Sequence, residues 1–129
     1  DMPNKLLFGG WAIPVEAKTA SFTVKERDCG KLFTNRGAGA GITISLPSVL
    51  SHLKGFWFEV TVVAAQTVTI TTADKLLYHA NATADTIVLP ATIGMHLKIV
   101  CDGTSYLVQS DPTAATAATA VTAVTLTDN

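Results

Sequence analysis

The chain has 129 residues, 48% hydrophobic and only 15% charged, with a formal net charge of −1. That length supports one domain with a real core rather than two, and the composition excludes an intrinsically disordered chain. Its Lys and Arg residues are scattered rather than gathered on one face, which argues against a nucleic-acid partner, because that affinity comes from concentrated phosphate neutralisation.

No apolar run reaches the roughly 18 residues of a membrane span. Glu59, Thr61 and Gln66 interrupt the best candidate, so no membrane partner is expected. The opening residues do not read as a secretory signal. Cys29 and Cys101 are far apart and lack CxxC spacing, so two reduced thiols are expected rather than a disulfide.

Residues 1–20 show neither a helical nor a strand period and read as an extended N-terminal arm. Pro3, Gly9, Gly10 and Pro14 break regular structure there, while Leu6, Leu7, Phe8, Trp11 and Ile13 are strongly apolar. Burying one such side chain is worth about 1.5–3 kcal/mol, so the arm either folds back over its own domain or lies on a neighbour. Fully extended, it reaches roughly 65 Å.

Strand patterns start at Ser21 and continue to residue 111. Phe22 and Val24 alternate with Thr23 and Lys25, a turn follows at ERDCG, and Lys31 to Thr34 forms a short strand. After the loop NRGAGAG, Ile42, Ile44 and Leu46 alternate with Thr43 and Ser45 until Pro47 stops the ladder. Residues 48–54 suit one or two helical turns. Gly55 then releases the longest strand, with Phe56, Phe58, Val60 and Val62 on one face and Trp57, Glu59, Thr61 and Val63 on the other.

The second half repeats this grammar. Val68 and Ile70 alternate with threonines, and Leu76 to Tyr78 is a short strand. IVLP at Ile87–Pro90 echoes ISLP at Ile44–Pro47, which suggests two similar units. Met95, Leu97, Ile99 and Cys101 then share a face, and Asp102-Gly103 is a hairpin signal leading to a strand around Tyr106 and Val108. Short strands at this spacing predict an all-β fold, a single antiparallel β-sandwich or small barrel of jelly-roll type. Residues 112–129 form a Thr/Ala-rich C-terminal arm that reads as a free tail, a strand added to a neighbouring sheet edge, or a helix.

The motifs for chemistry fail one by one. Arg36 to Gly41 is glycine-rich, yet it lacks the GK[ST] ending and the following helix of a phosphate loop; its small residues suit close approach of another backbone. His52, His79 and His96 are isolated, with no partner at metal-ligand spacing. No GxSxG, SxxK or HExxH occurs, and the aspartates sit at turns, where they support the turn locally. Asn81-Ala82-Thr83 matches a glycosylation sequon, a frequent chance match. Three consecutive aromatics cannot all enter one core, so Trp57 is expected on the opposite face, as a packing or subunit contact or as a sugar platform. No enzyme, cofactor or metal is expected.

The string Asp28-Cys29-Gly30-Lys31-Leu32-Phe33-Thr34-Asn35-Arg36-Gly37-Ala38 resembles a DxGKxFxNxGA segment of small β-rich structural proteins of tailed bacteriophages. The similarity continues through an LP…G…FxFxV strand pair (Ile44 to Val60), a TVTI strand (Thr67 to Ile70) and a closing G…V-x-D-G-T-x-Y/W-x-V segment (Gly94 to Val108). It covers about residues 21–109 and departs at Tyr106, where tryptophan is expected. The resemblance implies a non-enzymatic virion protein, most like capsid decoration (cement) and head-fibre-type proteins. The implied partners are the major capsid protein and further copies of the chain in a homotrimer. The implied location is the capsid surface, after assembly in the bacterial host cytoplasm. The alternative is a head- or tail-fibre module that binds a host receptor or glycan. Contacts with the capsid or other subunits are assigned to Leu6, Leu7, Phe8, Trp11, Ile13 and Trp57.

Overall fold

The structure, a computed structural model, describes residues 12–48, 51–78, 81–109 and 125–127. It is all-β, and its first six strands alternate between two stacks. In one stack β1 (Val15–Ala17), β3 (Leu32–Thr34) and β5 (Trp57–Thr61) pair in parallel. In the other, β2 (Phe22–Thr23), β4 (Ile42–Ser45) and β6 (Val68–Tyr78) do the same. Each odd–even pair is one coil of chain, giving a β-solenoid of about three turns.

The chain then reverses to close the stacks. β7 (Asn81–Leu89) runs antiparallel to β6, and β8 (His96–Cys101) antiparallel to β5. β9 (Tyr106–Gln109) is antiparallel to β8 but parallel to the end of β6, which ties one stack to the other. β10 (Thr125–Thr127) lies antiparallel on β7, so this part of the C-terminal arm adds to the chain's own sheet.

The antiparallel sandwich or jelly-roll barrel read from the sequence is therefore corrected to a mixed, solenoid-like sheet. A period of two determines which side chains point inward, but it is silent on the direction of the neighbouring strand. Parallel neighbours need a long connection, and each one here contains a strand of the other stack. The sheet also begins earlier than Ser21: Val15–Ala17, within the expected arm, is a strand. Nor are ISLP and IVLP equivalent copies. Ile44 and Ile87 flank Ile70 from opposite sides, one on a parallel and the other on an antiparallel neighbour.

The core lies between the stacks. Phe33, Phe58, Val60, Leu97 and Ile99 enter it from one side, and Ile42, Ile44, Val68, Ile70, Ile87 and Leu89 from the other. The buried Tyr106 hydroxyl donates to the Pro47 carbonyl, fastening β9 to the end of β4. Burial pushes this phenol well above the usual tyrosine range, so it remains a donor.

The loop after β3 is held by Asn35, which is fully buried. Its Oδ1 accepts from the Val63 and Ala64 N–H groups at 2.7 and 2.8 Å, and its Nδ2 donates to the Ala64 and Gln66 carbonyls at 3.0 and 3.3 Å. The expected close approach is made by Gly41, where an added Cβ would lie 2.6 Å from the Thr67 Oγ1.

Polar residues cover the core at the first turn. Lys31 Nζ bridges Glu16 and Asp28, each at 2.8 Å, and Lys18 reaches Glu16 at 2.7 Å. The Lys18 ammonium also sits 4.5 Å from the centroid of the Phe22 ring, which packs on Phe33. Charged side chains on a terminal strand discourage a further strand from adding there, and a solenoid needs such a polar end.

Candidate interaction face

Among the described residues, no group of three or more His, Cys, Asp or Glu side chains could hold a metal ion. His52 pairs on the surface with Glu26 at 2.9 Å, and His79 lies outside the described residues. Cys29 is exposed, Cys101 is buried, and both thiols are free. Asp102 acts as a turn support: its carboxylate accepts the Ser105 and Thr104 N–H groups, which hold its pKa below the usual value. Asn81 uses its amide oxygen in the same way, accepting from Thr83 and Ala84.

What the fold does assemble is a pair of contrasting outer faces. On the stack containing β5, the outward positions Trp57, Val100, Leu107 and Leu77 stand opposite one another in register across β5, β8, β9 and β6. Neighbouring strands are about 4.8 Å apart, so these four side chains form a continuous apolar row roughly 14 Å long. All four are half-buried.

The row continues toward β1. The Gly30 N–H donates to the Trp57 carbonyl at 2.8 Å, and a Cβ at Gly30 would lie 3.7 Å from the indole ring. Gly30 thus offers no side chain to separate Trp57 from the strand beyond. There Ile13 and Val15 are 49% and 62% exposed, among the few large hydrophobic side chains so open to water. Val15 pairs with Leu32, and the next residues in that line are Glu59 and Lys98. An apolar row is thus flanked by one charge of each sign.

The opposite stack is dressed differently. Thr23, Ser45, Thr71, Thr86 and Thr127 stand in register across β2, β4, β6, β7 and β10, a line of hydroxyl groups. One face of the molecule resists leaving water; the other gains by it.

Of the sequence-assigned contact residues, Trp57 lies in the apolar row and Ile13 is exposed just before β1. Leu6, Leu7, Phe8 and Trp11 lie outside the described residues. Sequence reasoning missed Val100, Leu107 and Leu77. Each is the ordinary outward residue of an alternating strand, and only register reveals that they line up. Lys98 was also missed; its ammonium lies 4.5 Å from the centroid of the Trp57 ring. This cation–π contact occupies a face of the indole that a stacked sugar would need.

No family model matches this chain, and no curated protein matches it.

Proposed function

We propose that the protein is a non-enzymatic virion component that decorates and stabilises a bacteriophage capsid, as a trimeric cement protein bound to the major capsid protein. The observation that carries this reading is the two-faced build: a rigid β block with an apolar row on one sheet and a hydroxyl line on the other. A block of this kind has a side to attach and a side to leave in water. The motif resemblance over residues 21–109 points the same way. So does the low charge, since a chain of net charge −1 has little repulsion to overcome when many copies crowd on a shell.

Attachment in this reading uses the apolar N-terminal segment together with the row, on a surface offering many equivalent sites. Modest contacts at each site then sum to tight binding. The location is the outer surface of the capsid, reached after synthesis in the host cytoplasm. Co-sedimentation with bacteriophage shells that lack the protein tests the reading. The full chain is expected to pellet with the shells at a fixed stoichiometry, and a chain lacking residues 1–11 is expected to stay in the supernatant. A full chain that never pellets with any shell overturns it.

A further inference from the structure

Glu59 and Lys98 stand opposite each other in register on the outer face, half-buried and one line from the apolar row. They do not pair with each other. The Lys98 ammonium lies over the Trp57 ring, 4.5 Å from its centroid. Among the described residues, the Glu59 carboxylate joins no salt bridge. We propose that this face is an interface between two copies of the chain, packed sheet to sheet about a two-fold axis parallel to the strands, between β5 and β8. The inference concerns the free protein and does not rest on the decoration reading.

Charge and shape both select that axis. The strand order is β1-β3-β5-β8-β9-β6, so the axis sets β5 of one copy against β8 of the other, and β3 against β9. Glu59 then faces Lys98 of the second copy, and the symmetry makes the same contact twice. Trp57 faces Val100, a large ring against a small side chain. Leu107, in line with Val100, faces Gly30, which is in line with Trp57 and has no side chain, so the leucine meets a gap. An axis along the row would instead set each strand against itself, leaving Glu59 and Lys98 without opposite charges.

Other surfaces match a second copy less well. The charges beside β1 are already paired among Glu16, Lys18, Asp28 and Lys31, and the hydroxyl line of the opposite stack gains little by leaving water. From β1 to β6 the face spans about five strand spacings, roughly 24 Å, and two outward lines, so a pair buries on the order of 800 Å² in all. That is below the roughly 1,200 Å² at which standard stable interfaces begin. Pairing is therefore concentration-dependent, and the face is released on dilution or when another surface takes it.

Sedimentation of the full-length protein over about a hundredfold range of concentration reads the pairing directly. The mass should double from its value at low concentration. Glu59→Lys sets lysine against lysine across the contact and Lys98→Glu sets glutamate against glutamate, so each should weaken pairing by about tenfold or more. Mixing the two variants restores opposite charges at both contacts, and the doubled mass should return, with one copy of each variant in every pair. Neither chain changes its own residues on mixing, so this recovery belongs to the interface alone. The chain carrying both Glu59→Lys and Lys98→Glu should pair with itself. Should either reversal lose its far-ultraviolet circular dichroism, Glu59→Gln keeps the shape without the charge and should weaken pairing several-fold. A mass that does not double, or one indifferent to the charge changes, overturns the proposal. So do reversal variants that stay apart when mixed. No shell is present in these measurements, so failure here and failure of the decoration reading remain distinguishable.

Discussion

Asn35 shows how a single residue can hold two coils of a solenoid together. Its side chain satisfies two backbone donors and two backbone acceptors of residues 63–66 from a fully buried position. Replacing it with alanine removes the partner of these part-buried groups, and each buried group left unpaired costs about 1–3 kcal/mol. We expect Asn35→Ala to lower stability by about 3 kcal/mol. In urea titration this should appear as a lower midpoint with an unchanged slope, since the surface exposed on unfolding is the same. None of this was legible in the sequence, where Asn35 opens a glycine-rich loop and looks solvent-facing. Its partners lie 28 to 31 residues away, and no local pattern connects them. Trp57 was legible in part: three adjacent aromatics forced it to the outer face, but the covering Lys98 appears only when β5 and β8 are paired.

At the level of elements, periodicity located most strands and their inward faces, because side-chain alternation is a local property. The expectation that Phe56, Phe58, Val60 and Val62 point inward holds, as all four are buried. Strand direction was not legible. Whether Leu32–Thr34 runs parallel or antiparallel to Trp57–Thr61 depends on where the intervening chain goes, and here it leaves to build β4. β1 was missed because three residues are too few to show a period.

The polar lid beside β1 makes a prediction about pH. Hydrogen bonds from Lys18 and Lys31 lower the Glu16 pKa; for Asp28, burial acts in the opposite direction, but Lys31 and the Lys25 N–H outweigh it. A carboxylate with a depressed folded pKa contributes stability above its unfolded pKa, and that contribution is lost as pH falls through the folded value. Lys31, raised by Asp28 and Glu16, has the opposite sign: its contribution is complete below its ordinary value and fades only in strong alkali. The first turn should therefore be uniformly protected near neutrality and loosen below about pH 4. Hydrogen exchange, corrected for the intrinsic pH dependence, should show β1 and β2 losing protection there while β6 and β7 keep theirs. Simultaneous loss across all four strands would mean that the lid does not govern the first turn separately.

For the whole molecule, the decisive property is the contrast between its faces, and this was the least legible in sequence. Thr71 and Leu107 both occupy outward strand positions, and alternation treats them alike. Only the register separates them, placing Leu107 between Val100 and Leu77 and Thr71 between Ser45 and Thr86. Paired substitutions use that difference. Lysine at either position can keep its ammonium in water, so the fold should survive both changes, with unaltered far-ultraviolet circular dichroism. At Leu107 the new charge must be desolvated whenever the apolar row meets a partner, whereas at Thr71 it stays in water. On the proposed decoration role, Leu107→Lys should therefore weaken binding to shells by about tenfold or more, and Thr71→Lys should leave it close to the unmodified value. Comparable losses in both variants would indicate that neither face is the preferred attachment side, because an added charge would then act through the net charge of the particle surface. A loss confined to Thr71→Lys would reverse the orientation, placing the hydroxyl line against the shell and the apolar row toward neighbouring copies.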